Sequence, residues 1–140
     1  MSIVFLALGS NLGDRDQYME RAVHELKSQG LEIIKRSKTI ETDPVGGPTQ
    51  DRYLNAVLKA KTDHSPEELH FITQTIERKL GRVKKIFNGP RVIDIDILLY
   101  DELKLVTPWL LIPHPRMFGR PFVMQPLQEI DPVLCASLKP

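Results

Sequence analysis

The stretch Val92-Ile93-Asp94-Ile95-Asp96-Ile97-Leu98-Leu99-Tyr100 decides the fold. It is rich in β-branched residues and ends before Asp101, which is typical of a β-strand. Upstream, Ser65-Pro66-Glu67-Glu68 combines an N-cap serine, a proline at the first helical position and a glutamate at the third. Apolar residues then recur at helical spacing as far as Gly81. The sequence therefore predicts a helix that leads into a final strand.

Three more strands and one more helix are predicted before these two elements. Ile3 to Leu8 is a continuous apolar run, Leu31 to Glu41 is rich in Ile and Thr, and Tyr53 to Lys61 alternates between two faces. A helix with apolar residues at Met19, Ala22, Val23 and Leu26 follows the first strand and stops at Gly30. The order β-α-β-β-α-β predicts an α/β (α+β) ferredoxin-like antiparallel sheet with helices packed on it.

The C-terminal segment is predicted to be an irregular, Pro-rich extension. We expect only a short strand near Leu103 to Val106 and a helical turn near Gln125 to Ile130.

Composition limits the possible classes of protein. With 140 residues, of which 41% are hydrophobic, the chain is expected to form a single domain, 1–140. The 19 Lys+Arg and 18 Asp+Glu residues give a net charge of only +1, so no overall field for nucleic acid is expected. Cys135 is the single cysteine, which excludes an internal disulfide. No export signal or membrane span is visible, so we expect a cytoplasmic protein. We also expect the protein to be a monomer.

Asp94 and Asp96 are the strongest candidates for chemistry. Residues two apart on a strand share a face, about 7 Å apart along the backbone. The acids could simply mark the solvent side of an amphipathic strand, but Leu98 and Tyr100 continue the same face. Partly buried carboxylates need cations or donors to offset their desolvation. Their oxygen ligands suit Mg²⁺ shared with substrate phosphates.

Basic residues gather on either side of this strand. The stretch from Arg78 to Arg91 contains six Lys and Arg residues and no acid, and it opens directly onto the Asp94 strand. It is either a solvated loop or a site for polyphosphate, because phosphoryl transfer needs cationic donors beside the metal ions. A second basic cluster contains His114, Arg116 and Arg120.

Aromatic and amide side chains complete the set of candidates. Tyr53, Asn55 and Phe122 could clamp a flat heterocycle and hydrogen-bond to it, although aromatic residues at such positions are often part of the core. The early Gly9 to Gly13 loop lacks the lysine of a P-loop and the full glycine pattern of a dinucleotide-binding fold.

Five segments, taken in order, resemble the 6-hydroxymethyl-7,8-dihydropterin pyrophosphokinase family. They are Ala7-Leu8-Gly9-Ser10-Asn11-Leu12-Gly13, Tyr53-Leu54-Asn55-Ala56, Ile76-Glu77 with Gly81-Arg82, Gly89-Pro90-Arg91-Val92-Ile93-Asp94-Ile95-Asp96-Ile97, and Ile112-Pro113-His114-Pro115-Arg116-Met117. The resemblance implies a ferredoxin-like fold, ATP as co-substrate and two Mg²⁺ ions. It also implies attack of the pterin hydroxymethyl oxygen on the β-phosphorus, with AMP as the leaving group.

The resemblance further implies a set of site residues. Asp94 and Asp96 would bind both magnesium ions, and Arg82 and Arg91 would act with them as catalytic residues. The implied ATP contacts are Gln74, Glu77, Arg82, Lys84, Arg91, Ile97, His114 and Arg120. The implied pterin contacts are Gly9, Thr42, Pro44, Val45, Tyr53, Asn55 and Phe122.

Three residues depart from the family's pattern. Asn88 stands before Gly-Pro-Arg, where the family often has an aromatic residue, so loop closure is expected to differ. Trp109 and Leu111 stand where some relatives place an arginine and a threonine that touch ATP. We therefore expect a weaker affinity for ATP.

Two other classes of function fit parts of the sequence. One is an RNA-binding ferredoxin-like module that uses the basic loop and strand aromatics, although its sheet lacks an aromatic-rich signature. The other is a two-metal hydrolase of nucleotides, in which water replaces the pterin alcohol. Chelator sensitivity and product analysis distinguish these from a pyrophosphokinase.

Overall fold

The computed structural model describes residues 1–43, 51–81 and 92–140. These ranges form an α/β fold. In chain order the elements are β1 (Ser2–Ser10), α1 (Arg15–Ser28), β2 (Glu32–Arg36), β3 (Ile40–Thr42), β4 (Tyr53–Thr62), α2 (Pro66–Lys79), β5 (Asp94–Tyr100), β6 (Leu105–Val106), β7 (Leu111–Ile112), a 3-10 helix (Met117–Gly119), α3 (Pro121–Ile130) and α4 (Pro132–Ser137).

The main sheet has the strand order β2-β4-β1-β5, with β3 also paired to β4. Each of these pairs is antiparallel, as predicted. The central strand β1 pairs with β4 on one side and with β5 on the other, so Gly9 lies directly between Asn55 and Asp94. This register brings residues that are distant in sequence into one row.

Each face of the sheet carries its own hydrophobic cluster. On one face, α1 and α2 pack against alternate β1 residues such as Leu6 and Leu8. On the other face, α3 and the 3-10 helix pack against Phe5 and Val57. Because side chains alternate along a strand, the second face also carries Asn55 and Gly9, beyond the end of the α3 cluster. The functional candidates on the strands therefore share this second face.

The predicted helix boundaries are confirmed at their capping residues. The Asp14 carboxylate accepts a hydrogen bond from the Gln17 N–H at the start of α1. At α2, the Ser65 hydroxyl accepts from the Glu68 N–H while the Glu68 carboxylate accepts from the Ser65 N–H. Gly30 and Gly81 follow the two helices with positive φ angles, which glycine adopts without strain.

The predicted single strand from Leu31 to Glu41 is wrong, because the structure contains two strands with a break. β2 and β3 both pair with β4, and the register with β2 shifts between Ile33 and Lys35. In the break, the buried Ser37 exchanges hydrogen bonds with Val57: its N–H donates to the Val57 carbonyl and its hydroxyl accepts the Val57 N–H. At this point a side-chain hydroxyl accepts a hydrogen bond that a backbone carbonyl would accept in a regular strand pair. The strand propensity of the segment did not predict this break.

The C-terminal segment is more regular than predicted. It contains the ten-residue helix α3 and the six-residue helix α4, and the short strand β6 forms a hairpin with β7. Pro121 and Pro132 occupy the first positions of their helices, where a missing N–H costs nothing. The prolines that suggested irregular structure thus begin helices.

None of the helices formed by the described residues combines the length and the apolar character that a bilayer crossing requires.

Candidate active site

A cleft of about 820 Å³ opens where β1, β4 and β5 face the segment 108–123. Residues of α2 form a further part of its wall. Its predicted lining residues are Gly9, Thr42, Tyr53, Asn55, Gln74, Glu77, Asp94, Asp96, Ile97, His114, Arg120 and Phe122. The structure therefore brings together the predicted residues that lie in the described ranges.

Five predicted residues lie outside the described ranges. They are Pro44, Val45, Arg82, Lys84 and Arg91, and the divergent Asn88 is also among the residues that are not described.

The floor of the cleft is made flat by two small residues on β1. Gly9 lies between Asn55 and Asp94, and Ala7 pairs with Asp96 on the β5 side. A Cβ atom added to Gly9 would lie 3.4 Å from Asn55 Oδ1 and 3.6 Å from Tyr53 Cδ1. The absence of a side chain therefore leaves room for a ligand between an amide on β4 and a carboxylate on β5.

Asn55 has a defined orientation in this floor. Its side chain is buried, and its Nδ2 donates a hydrogen bond of 2.7 Å to Thr42 Oγ1 on the neighbouring strand β3. The amide oxygen is the atom that lies closest to the Cβ position of Gly9. Asn55 thus presents an acceptor to the cleft, which suits a ligand with N–H groups on its edge.

Ion pairs hold the strands next to Asn55 in place. Glu41 in the middle of β3 pairs with Arg15 at 2.8 Å and with Arg52 at 3.0 Å. Arg52 also contacts Asp43 at 3.1 Å and directly precedes Tyr53. The network joins α1, β3 and β4 at the edge of the cleft.

The two carboxylates of Asp94 and Asp96 lie half-buried on β5 and line the cleft, while Ile95 and Ile97 between and beyond them are buried in the core. Within the described ranges, no three His, Cys, Asp or Glu side chains gather to enclose a metal ion. Two carboxylates open to a cleft nevertheless fit Mg²⁺, which keeps water ligands and is commonly held by one or two carboxylates plus substrate phosphates.

Glu77 occupies the cleft wall from α2, as predicted, and its carboxylate also has a structural partner. It is only 7% exposed, and its Oε2 accepts a 2.8 Å hydrogen bond from the backbone N–H of Ile95. Ile95 lies between Asp94 and Asp96 in the sequence. Glu77 therefore fixes the backbone that carries the two carboxylates.

The cationic side of the cleft is formed by His114, Arg116 and Arg120. Burial lowers the pKa of His114; the Asp96 carboxylate opposes this shift, and the two arginines add to it. The His114 Nδ1 accepts a 3.2 Å hydrogen bond from the Arg116 N–H, so the neutral ring carries its proton on Nε2. His114 is therefore a hydrogen-bond donor near neutral pH.

Aromatic rings lie at the same end of the cleft as Asn55. The Arg120 guanidinium lies over the Phe122 ring, 5.6 Å from its centroid, and Phe122 lines the cleft together with Tyr53. The helix α3 positions Phe122 and is anchored by Val123 and Leu127 in the core. The two rings and the Asn55 amide provide the contacts that a flat polar heterocycle needs.

Sequence reasoning missed several lining residues. His70 lies four positions from Gln74 and seven from Glu77, and Thr73 lies four positions from Glu77, so helical spacing would have indicated both residues. The divergent residues Trp109 and Leu111 also line the cleft. Trp109 pairs with His70, with ring centroids 5.3 Å apart, and no local pattern predicts that contact.

Comparisons with known proteins identify one family. The family model "7,8-dihydro-6-hydroxymethylpterin-pyrophosphokinase (HPPK)" matches residues 5–132. A Bacillus subtilis protein named 2-amino-4-hydroxy-6-hydroxymethyldihydropteridine pyrophosphokinase is 45% identical over 130 residues, which cover 92% of this chain and 78% of that protein. Proteins of the same name from Aquifex aeolicus and Porphyromonas gingivalis are 44% and 41% identical, covering 94% and 96% of this chain and 82% and 94% of their own lengths.

Solved structures show the same fold in larger proteins. An HPPK-DHPS crystal structure has a TM-score of 0.72 at 14% identity, and Plasmodium falciparum HPPK-DHPS has a TM-score of 0.70 at 16% identity. The similarity covers 92% and 94% of this chain, which spans 40% of each of those chains. On the strength of the family match and the close relatives, this chain belongs to the 7,8-dihydro-6-hydroxymethylpterin-pyrophosphokinase family.

Proposed function

We propose that this chain transfers the β,γ-diphosphate of ATP to the hydroxymethyl group of 6-hydroxymethyl-7,8-dihydropterin, a step of folate biosynthesis. The products are AMP and the pterin diphosphate. The observation that carries this assignment is the arrangement of Asp94 and Asp96 in one cleft, between an amide-and-aromatic end and a cationic wall. Family membership gives the same reaction, because the relatives are named as pterin pyrophosphokinases.

The pterin occupies the end of the cleft formed by β1, β4 and α3. Tyr53 and Phe122 hold its faces, and the Asn55 amide oxygen accepts from its N–H groups. The support for this placement is the flat floor at Gly9 and the hydrogen bond that orients the Asn55 amide toward the cleft. Thr42 supports Asn55, and Pro44 and Val45 follow Thr42 along the chain.

The phosphates lie over β5. Asp94 and Asp96 would hold two Mg²⁺ ions, which when bound would neutralise the phosphate oxygens and align the triphosphate. His114 donates from Nε2, and Arg120 provides a fixed positive charge on the opposite wall. The proximity of His114 to Asp96, reflected in its pKa, supports a shared phosphate site.

The nucleotide extends from the phosphates toward α2. Gln74, Glu77 and Ile97 form the walls on that side of the cleft. Arg82, Lys84 and Arg91 lie in the basic stretch between α2 and β5, and we assign them to the phosphates. Arg82 and Arg91 act with Asp94 and Asp96 in the transfer step.

The transfer is a single displacement. The hydroxymethyl oxygen of the pterin forms a bond to the β-phosphorus, the bond from that phosphorus to the α,β-bridging oxygen breaks, and AMP leaves with the electron pair. The hydroxyl proton passes to solvent, because no described side chain at the pterin end stands out as an obligate base. Positioning of the two substrates and stabilisation of charge supply the rate enhancement.

We also propose that residues 1–140 act as one ferredoxin-like domain, as a monomer, in the cytoplasm. The order β2-β4-β1-β5, with all neighbours antiparallel and two helical crossovers, supports this topology. Both hydrophobic clusters pack on the same sheet, which supports a single domain. Light scattering of the purified chain at micromolar concentration tests the monomer.

The test of function is AMP release from ATP and Mg²⁺, with and without 6-hydroxymethyl-7,8-dihydropterin, with the pterin product followed by mass. Pterin-dependent AMP, together with a pterin that gains two phosphates, supports the proposal. AMP with free pyrophosphate and unchanged pterin would instead identify a hydrolase. Folded protein that gives neither product would overturn the assignment.

A further inference from the structure

Arg15 joins two strands of the sheet from the start of α1. One terminal nitrogen of its guanidinium, Nη1, lies 2.8 Å from the Glu41 carboxylate on β3. The same nitrogen donates a 2.7 Å hydrogen bond to the carbonyl of Arg52, the residue directly before β4. A terminal guanidinium nitrogen carries two N–H groups, so it can serve both acceptors at once. Arg15 is therefore a bridge between β3 and the start of β4.

The stability of α1 itself does not account for a cation at this position. Arg15 is the first residue of the helix, at the positive end of the helix dipole, where acidic side chains are favoured. Its side chain is nevertheless only 29% exposed, because the contacts that hold it lie outside the helix. The contribution of Arg15 therefore comes from what it does to β3 and β4.

The Glu41 carboxylate is shared between two arginines. Its Oε2 contacts Arg15, and its Oε1 contacts Arg52 Nη1 at 3.0 Å. The Arg52 side chain is 52% exposed, so solvent screens its charge more strongly than that of Arg15. Arg15 is thus expected to supply the larger part of the restraint on Glu41.

Each residue that Arg15 contacts directly precedes a residue of the cleft. Glu41 precedes Thr42, and Arg52 precedes Tyr53. Thr42 and Tyr53 are register partners at the end of β3, a strand of only three residues. Among the described residues, the lining of the cleft includes both partners but not the charged network itself. Because so short a strand has few ladder hydrogen bonds, the position of its last residue depends on the ion pair beside it.

We propose that Arg15 is a positioning residue for the pterin. This inference rests on the proposed function, which places the pterin between Tyr53, Phe122 and Asn55. By joining β3 to the start of β4, Arg15 fixes the Tyr53 ring relative to the Asn55 amide. Thr42 on β3 orients that amide through a 2.7 Å hydrogen bond. Arg15 consequently determines the affinity for the pterin without contacting it.

Steady-state kinetics test this role by substitution. Arg15→Met removes both contacts but keeps an unbranched side chain, and it should raise the KM for the pterin about 5- to 20-fold. The kcat at saturating substrates and the KM for ATP should change less than about threefold. Arg15→Lys keeps the charge on a shorter side chain and should restore part of the affinity. An unchanged KM for the pterin in Arg15→Met, or an equal rise of both KM values, would overturn the proposal.

Arg36→Met is the matched control, because Arg36 also connects α1 to the sheet. Its guanidinium contacts the Glu20 carboxylate, and its side chain is 30% exposed, close to the value for Arg15. Neither Arg36 nor Glu20 is next in sequence to a residue that lines the cleft. Urea unfolding should show similar losses in Arg15→Met and Arg36→Met, whereas Arg36→Met should leave the KM for the pterin unchanged. The same rise of this KM in both variants would indicate a general loosening of α1 and would overturn the positioning role.

A double-mutant cycle identifies Glu41 as the residue through which Arg15 acts. Arg15→Met and Glu41→Gln should each raise the KM for the pterin. The double variant should raise it by less than the product of the two single factors, because both substitutions remove the same ion pair. Effects that multiply would contradict the proposed route from Arg15 to the cleft.

Direct binding keeps this test separate from the test of the proposed function. 6-Hydroxymethyl-7,8-dihydropterin is titrated by calorimetry in the presence of Mg²⁺ and a non-hydrolysable ATP analogue. We expect Arg15→Met to bind it about tenfold more weakly than the wild-type protein and Arg36→Met do. If the wild-type protein forms no pterin diphosphate, the proposed function fails, whereas this titration still decides the role of Arg15. Equal affinities in the three proteins, or no binding to the wild-type protein, would overturn the inference.

Discussion

Glu77 Oε2 accepts a 2.8 Å hydrogen bond from the backbone N–H of Ile95, and this joins the buried face of α2 to the strand that carries Asp94 and Asp96. β5 is at the end of the strand order, so this stretch has β1 as its only strand neighbour among the described residues. The Glu77 carboxylate accepts a backbone hydrogen bond that a further strand would otherwise accept. It therefore restrains the separation of the two Asp side chains.

Substitution of Glu77 tests this restraint. Glu77→Ala removes the acceptor and leaves a buried N–H without its partner, so unfolding in urea should show a loss of about 1–3 kcal/mol. Glu77→Gln retains an acceptor oxygen and should lose about 1 kcal/mol or less. Turnover should fall more in the Ala variant than in the Gln variant. Equal stability of Glu77→Ala and the wild-type protein would show that the hydrogen bond contributes nothing.

Asp94 and Asp96 are expected to serve catalysis more than folding. Asp94→Asn and Asp96→Asn should each lower turnover about 100-fold or more, because each removes a charged oxygen ligand worth several kcal/mol in the transition state. Their urea unfolding free energies should change by about 1 kcal/mol or less, since both side chains are only half-buried. Asp63→Asn, whose side chain is 77% exposed, is the matched control and should retain full activity. Substantial turnover in either site variant would remove the metal assignment.

Local rules predicted the parts of this fold that local interactions determine. The N-cap at Ser65, the helix stop at Gly81 and the strand ending at Tyr100 each depend on neighbours within a few residues, and the structure agrees with them. The pairing of Asp94 with Asp96 on one face follows from strand alternation alone.

Contacts between distant residues account for what the sequence did not reveal. The break in the second strand depends on Ser37 meeting Val57, twenty positions away. The Trp109–His70 pair and the bond from Glu77 to Ile95 likewise join separate elements. Because proline disrupts the interior of a helix, the segment that contains Pro121 was predicted to be irregular, although proline is favourable at the first helical position. The strand break, the aromatic pair and the hydrogen bond from Ile95 to Glu77 each depend on a tertiary contact, which the periodicity of the sequence does not encode.

Gly9 provides a test of the flat floor of the cleft. In Gly9→Ala the new methyl group would meet Asn55 Oδ1 at 3.4 Å and Tyr53 Cδ1 at 3.6 Å, which are ordinary contacts, so stability should change by about 1 kcal/mol or less. The methyl group would project from the floor where the pterin lies, and the KM for the pterin should rise about tenfold. The KM for ATP should change little.

Gly119→Ala is the matched control for that experiment, because its added Cβ would have no atom of the described residues within 4 Å, apart from its immediate chain neighbours. It should leave both KM values unchanged. A Gly9→Ala enzyme with wild-type affinity for the pterin would place the heterocycle elsewhere in the cleft.

Asp131 links the C-terminal helices to β4 and gives the protein a defined acid sensitivity. Its Oδ2 contacts Lys59 Nζ at 2.9 Å, and its Oδ1 accepts the Leu134 N–H as the N-cap of α4. The hydrogen bond from Lys59, followed by that from Leu134, lowers the pKa of Asp131. Since the folded-state pKa is below the ordinary aspartate value of about 3.9, the stabilisation is fully present above about pH 3.9 and is lost as the pH falls from there through the lower folded-state pKa.

Two substitutions separate the charge of Asp131 from its capping role. Asp131→Asn keeps an N-cap acceptor and should cost about 0.5–1 kcal/mol at pH 7, while Asp131→Ala should cost about 1 kcal/mol more. Urea unfolding between pH 5 and pH 3 should show the gap between the wild-type protein and Asp131→Asn narrowing, because protonated Asp and Asn are both neutral caps. The Ala variant should remain the least stable throughout. If the difference in unfolding free energy between the wild-type protein and Asp131→Asn did not change with pH, the ion pair with Lys59 would contribute no stability. The only stabilising role of the Asp131 side chain would then be to cap α4.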